Sequence, residues 1–268
     1  MSEQTIKRDG GAMAERLVRF QRPASSLPYL TGADDARVAA VFGLDAGAYR
    51  ELLDGFEERV RQAAGTLLGR PGFADLVDRL PLDGEPHIVA IGESTTADRL
   101  SWFEILRQVV TSRRPARFTN LAISGSTTTQ ALTGMPMLRF QRADLVLCML
   151  GGNDAQRPAH GAPTLVGPAE TVRNLAQLRE LAGTPRWLWL TPSAVNEPRV
   201  AAYPHFQRPG ISWSNRDIDA IADHLLGRPE PAVDTRHVTH HMDDGVHLTI
   251  EGQMEIASAV VHALAGAA

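Results

Sequence analysis

The chain has 268 residues, 43% of them hydrophobic and 22% charged, with a formal net charge of −4. This is the make-up of an ordinary globular protein with a sizeable core. It offers no basic field for a phosphate backbone or an anionic surface, so neither nucleic acid nor a charged membrane is an expected partner.

Residues 1–31 mix charges, Gly, Pro and Ser with little periodicity and read as a flexible or draped N-terminal arm. Glu15, Arg16 and Arg19 break its first apolar residues, so no secretory leader is legible there. No run approaches the ~20 apolar residues of a membrane span. These two readings point to a cytoplasmic protein. Residues 32–82 read as a helical extension. "AYRELLDGFEERVRQAAGTLL" sets Tyr49, Leu52, Leu53, Phe56, Val60, Ala64 and Leu67 on one face, with Asp45 as a cap and Gly69 and Pro71 as a stop. A shorter helix follows, carrying Phe73, Leu76, Val77 and Leu80. So wide an apolar stripe needs a surface to bury against, which the following domain supplies.

The rhythm changes within residues 83–268. "HIVAIG", "RFTNLAI", "DLVLCML" and "RWLWLT" are short apolar runs, with "PAVDT" a weaker fifth. Helical stretches fall among them, at about 100–110, 167–182 and 215–226, and a last helix runs over about 250–265. Alternating strands and helices give βαβ units and a parallel sheet, whose strands read as continuously apolar because both faces are covered. The only cysteine, Cys148, lies inside the third run and reads as core, and an internal disulfide is impossible. The stretch 192–214 is long, Pro-rich and aperiodic, as functional loops often are.

Ligands of open parallel sheets bind outside the carboxyl ends of the strands. The segments leaving those ends are rich in chemistry: "GESTT", "AISGSTT" and "GGND", and then "DDGVHL" before the last helix. Ser94 sits where a strand turns into a helix and is a candidate nucleophile. Gly125, without a side chain, lets its N–H approach a substrate oxygen. Asn153 carries an amide that can face a developing oxyanion. His247 is a candidate base, and Asp244, three residues earlier across Gly245, is placed to hold its tautomer. The same region also holds His237, His240, His241 and Asp243 beside Asp244, a set that could instead ligate a metal. No H-E-x-x-H helix accompanies it, and a metal site leaves the serine, glycine and asparagine loops unexplained.

These four segments resemble, in order, the sequence blocks of the SGNH (GDSL-type) hydrolases, over about residues 87–250. The family's Ser, Gly, Asn and His fall on Ser94, Gly125, Asn153 and His247. The resemblance implies a flavodoxin-like three-layer α/β/α domain with a five-stranded parallel sheet in the order 2-1-3-4-5, here with an N-terminal helical extension. It implies ester hydrolysis through an acyl-serine, with Ser94 as nucleophile, His247 as base then acid, and Asp244 as orienter. The N–H groups of Ser94 and Gly125 and the amide of Asn153 would form the oxyanion hole, and no cofactor or metal is needed. Where the family has "GDS" this chain has "GES", so Glu93 adds a methylene beneath the nucleophile turn. The expected partner is a small-molecule acyl ester. Arg157, Asn196, Arg199, Tyr203 and His205 are candidate substrate contacts. A metal-dependent hydrolase, a non-catalytic binding module and an acyltransferase are the alternative readings.

Overall fold

The computed structural model describes residues 3–23, 32–183 and 186–266. Five parallel strands form one sheet: β1 (His87–Gly92), β2 (Arg117–Asn120), β3 (Leu145–Met149), β4 (Trp187–Leu190) and the two-residue β5 (Ala232–Val233). Their order is β2-β1-β3-β4-β5, with Val89 opposite both Thr119 and Val146. The crossovers include α5 (Ser94–Ala97) and α6 (Trp102–Thr111), α7 (Thr128–Thr133) and α8 (Met135–Gln141), α9 (Pro168–Ala182), and α10 (Glu197–Ala202), α11 (Pro204–Gln207) and α12 (Asn215–Leu226). The closing helix is α13 (Ile250–Gly266). This is the three-layer arrangement that the resemblance implies.

The apolar strands are buried on both faces, and the two-residue alternation of side chains sorts them into two cores. Ile88, Ala90, Leu145, Leu147, Met149, Leu188 and Leu190 pack with α6 and α13. Val89, Ile91, Val146, Cys148, Trp187 and Trp189 pack with α8, α9 and α12. The "RFTNLAI" run is a strand only to Asn120, whose side chain accepts the Ala122 N–H and donates to the Thr96 carbonyl, turning the chain.

Three more helices precede the sheet: α2 (Asp35–Val41), α3 (Ala46–Leu68) and α4 (Phe73–Asp78). Asp45 caps α3 by accepting the Ala48 N–H at 2.8 Å. Tyr49, Phe56, Val60, Ala64 and Leu67 of α3 share one core with Phe103, Leu106 and Val109 of α6 and Val260 and Leu264 of α13.

The N-terminal stretch, expected to lack periodic structure, carries a helix. Helix α1 spans Glu3–Phe20, and its last turns lie against the sheet domain. Arg19 clasps Asp98 with two bonds of 2.8 and 2.7 Å, both side chains buried. The C-terminal carbonyls of a helix need outside donors. Arg99 supplies them, donating its Nε to the Val18 carbonyl and its backbone N–H to that of Arg19. Residues 24–31 of the arm lie outside the described residues. No helix among the described residues is long and apolar enough to cross a membrane.

Candidate active site

The site lies at the carboxyl edge of the sheet. Ser94 opens α5 directly after β1, with Glu93 at the capping position. Ser94, Gly125, Asn153 and His247 line one cavity of about 410 Å³. Four segments separated by 153 positions thus meet because the parallel strands end at one edge.

The "DDGVHL" loop folds back on itself: Met242 donates to the His247 carbonyl and Thr249 to that of His240. The turn brings carboxylate and ring together. Asp244 is fully buried, and its Oδ1 accepts the backbone N–H groups of Val246 and His247 at 2.9 Å each. Its Oδ2 lies 2.8 Å from His247 Nδ1. A carboxylate can only accept, so Nδ1 carries the proton and Nε2 is left as a proton acceptor. Burial pushes the Asp244 carboxyl up, but the hydrogen bonds and charge of His247 outweigh it and hold the group well below the usual carboxylate range. Asp243 is exposed.

A third group joins this pair from α1. Arg16 Nη2 donates to the same Oδ2 of Asp244 at 2.5 Å, and the Phe20 ring lies 4.5 Å from that of His247, centroid to centroid. Neither residue was expected from the sequence. The spacing of Met13, Leu17 and Phe20, at i, i+4 and i+7, was the available signal.

Glu93 explains how "GES" is accommodated. Its two carboxyl oxygens accept the N–H groups of Gly152 and Asn153 at 3.0 and 2.9 Å, so it anchors the "GGND" loop under the Ser94 turn. The fit demands a glycine: a Cβ on Gly152 would stand 2.5 Å from Glu93 Oε1. Burial, with the nearby charge of Asp154, raises the Glu93 carboxyl to about 8, against the pull of the two N–H donors. Asp154 ties the same loop to two others, accepting from the Thr128 N–H and hydroxyl and the Thr171 hydroxyl. Asn153 Nδ2 gives one proton to the Ser126 carbonyl at 3.1 Å, which fixes the amide plane. Gly125 stands at φ +81°, in the left-handed region where a side chain is strained.

The expected substrate contacts divide. Tyr203 and His205 line the cavity. Arg157 does not: its guanidinium is paired with Asp217 at 2.6 Å. Asn196 and Arg199 hold the Asp244–His247 loop, through the Asn196 N–H on the Gly245 carbonyl and Arg199 Nη1 on the His241 carbonyl. The His/Asp cluster is likewise dispersed. His240 pairs with Glu255 at 3.2 Å, and each ring nitrogen of His241 faces a backbone carbonyl. Among the described residues no three His, Cys, Asp or Glu side chains converge as metal ligands.

The model of the GDSL-like lipase/acylhydrolase family matches residues 90–254, well over half of the chain. The chain belongs to this family. It is accordingly a carboxylic ester hydrolase. Solved structures of GDSL-like and related esterases share its fold. A lipase/acylhydrolase from Enterococcus faecalis is 17% identical with a TM-score of 0.55, over 68% of this chain and 96% of that one. Est24, a carbohydrate acetylesterase from Sinorhizobium meliloti, is 17% identical with a TM-score of 0.54, over 69% and 100%. The M. smegmatis aryl esterase is 19% identical with a TM-score of 0.52, over 66% and 97%. No curated protein matches the chain.

Proposed function

We propose that this GDSL-like hydrolase cleaves acyl esters through a covalent acyl-serine on Ser94. The observation that carries the reading is the buried Asp244 carboxylate on His247 Nδ1, in a loop that lines the same cavity as Ser94. Ser94 Oγ attacks the ester carbonyl carbon while its proton passes to His247 Nε2. The carbonyl oxygen, now an oxyanion, accepts from the N–H groups of Ser94 and Gly125 and from Asn153 Nδ2. Each such donor contributes about 2.7–4 kcal/mol to the transition state. The C–O bond then breaks, and the alcohol leaves with the proton held by His247. Water repeats the sequence on the acyl-serine: His247 takes its proton, the acid is released and the proton returns to Ser94.

His247 and the two N–H groups on Oδ1 keep Asp244 ionised, and Arg16 on Oδ2 helps to fix it in place, so it steadies the imidazolium without taking its proton. Asn196 and Arg199 act as positioning residues for the loop. In steady-state assays on a short-chain ester, Ser94→Ala is expected to lose turnover while its circular dichroism stays that of the parent. A variant as active as the parent would overturn the mechanism.

A further inference from the structure

The cavity beside Ser94 is not built by the hydrolase fold alone. Met13, Leu17 and Phe20 line it from α1, and α1 lies outside the family match, which begins at residue 90. Phe206, Trp213 and Val246 line it from the segments after β4. Arg16 joins these two sets, its guanidinium 6.0 Å from the Phe20 ring centre and 5.7 Å from that of Tyr203.

The chemistry of this lining is one-sided. Among the described residues no aspartate or glutamate lines the cavity, and Arg16, the one guanidinium among them that does, is paired with Asp244. The Trp213 N–H is already given to the Gly152 carbonyl at 3.0 Å, and the Ser124 hydroxyl to that of Phe20. Beyond the catalytic groups, Gln21, Gln156, Tyr203 and His205 are, among the described residues, the polar side chains left to meet a substrate. A sugar ester brings several hydroxyls, and each one desolvated without a partner weakens binding. Meanwhile Met13 and Leu17 are 48% and 42% exposed, although Val18 on the same helix is fully buried. Large apolar side chains left open beside a polar catalytic floor mark a binding surface. At about 30 Å³ per group, roughly the volume share of a water molecule, 410 Å³ holds on the order of a dozen non-hydrogen atoms.

We propose that the cavity selects neutral esters carrying an apolar chain of hexyl to octyl size, and that Leu17 and Met13 of α1 determine this selectivity. The inference rests on the acyl-serine reading above. Contacts to a remote apolar chain are the kind of binding that raises kcat/KM. Two series, followed with a pH indicator, place the chain: ethyl acetate to ethyl octanoate varies the acyl side, and ethyl acetate to octyl acetate varies the alcohol side. In at least one, kcat/KM is expected to rise tenfold or more by the six-carbon member. Xylose tetraacetate should be a poorer substrate than that member. In Leu17→Asp, at an open position that leaves the melting temperature unchanged, the six-carbon to two-carbon ratio should fall at least fivefold. Leu17→Phe should keep it.

Flat rates in both series, or a preference for the sugar ester, would overturn the proposal. An unmoved ratio in both Leu17→Asp and Met13→Asp would overturn the part given to α1. If the parent hydrolyses none of these esters, the acyl-serine reading fails instead. The cavity is then tested by titrating 2-octanone into Ser94→Ala protein and following tryptophan fluorescence. Saturable binding supports an apolar site, and its absence overturns it.

Discussion

Asp243 and Asp244 are adjacent, yet their surroundings differ completely. Asp244 is buried and accepts four hydrogen bonds, from Val246 N–H, His247 N–H, His247 Nδ1 and Arg16, whereas Asp243 faces solvent. Asp244→Ala is expected to lower kcat by about 10³–10⁴-fold, the scale seen when a triad loses its orienting carboxylate. Asp243→Ala should leave kcat within about threefold and stability within about 0.5 kcal/mol. Equal losses in steady-state kinetics would mean that the loop is wrongly assigned. The D-x-x-H spacing made this distinction legible in the sequence because all its contacts but one are local. The exception, Arg16, lies 228 positions away and left no local trace. The partners of Arg157, Asn196 and Arg199 were illegible for the same reason: Asp217, Gly245 and His241 are brought to them by tertiary folding.

Among the elements, β1, β3 and β4 were legible because a parallel strand covered on both faces needs an unbroken apolar run. Helix α1 was not, although it contributes to the cavity. Arg16 and Arg19 read only as breaks in an apolar run, but they and Arg22 each meet a carboxylate far along the chain: Asp244, Asp98 and Glu104. Only the packed structure shows that these charges hold the helix down. The apolar stripe of α3 carried its own signal, and its burial has a measurable consequence. Phe56 is 4% exposed in a core shared with α6 and α13. Phe56→Ala should therefore destabilise the whole protein by about 3–5 kcal/mol. In urea, one transition should move, reported alike by tryptophan fluorescence and far-ultraviolet circular dichroism. A separate early transition for the helical extension would contradict the shared core.

For the whole molecule, the buried Glu93 ties stability to pH. Its carboxyl is raised from the usual 4.5 to about 8 by burial, with the charge of Asp154 adding to the rise. Between these values the folded protein keeps a proton that the unfolded chain has released. Its contribution to stability is therefore full below about 4.5, is lost as pH rises, and levels off above about 8. Other groups titrate in this window: burial lowers His87 and His224, which gives the opposite slope. The difference between the parent and Glu93→Gln isolates the glutamate. Urea midpoints at pH 5 and pH 8 should show the parent losing more stability with rising pH than the variant. Parallel slopes would mean that Glu93 is ionised throughout.

The central claim is that Ser94 is the nucleophile of a GDSL-like esterase, activated by the Asp244–His247 pair. It is tested most directly by treating the folded protein with an alkyl fluorophosphonate and mapping the adduct by peptide mass spectrometry. One adduct per chain is expected, on Ser94, and His247→Ala should slow its formation by orders of magnitude. An active parent that carries the adduct on another residue, or none at all, would contradict the claim.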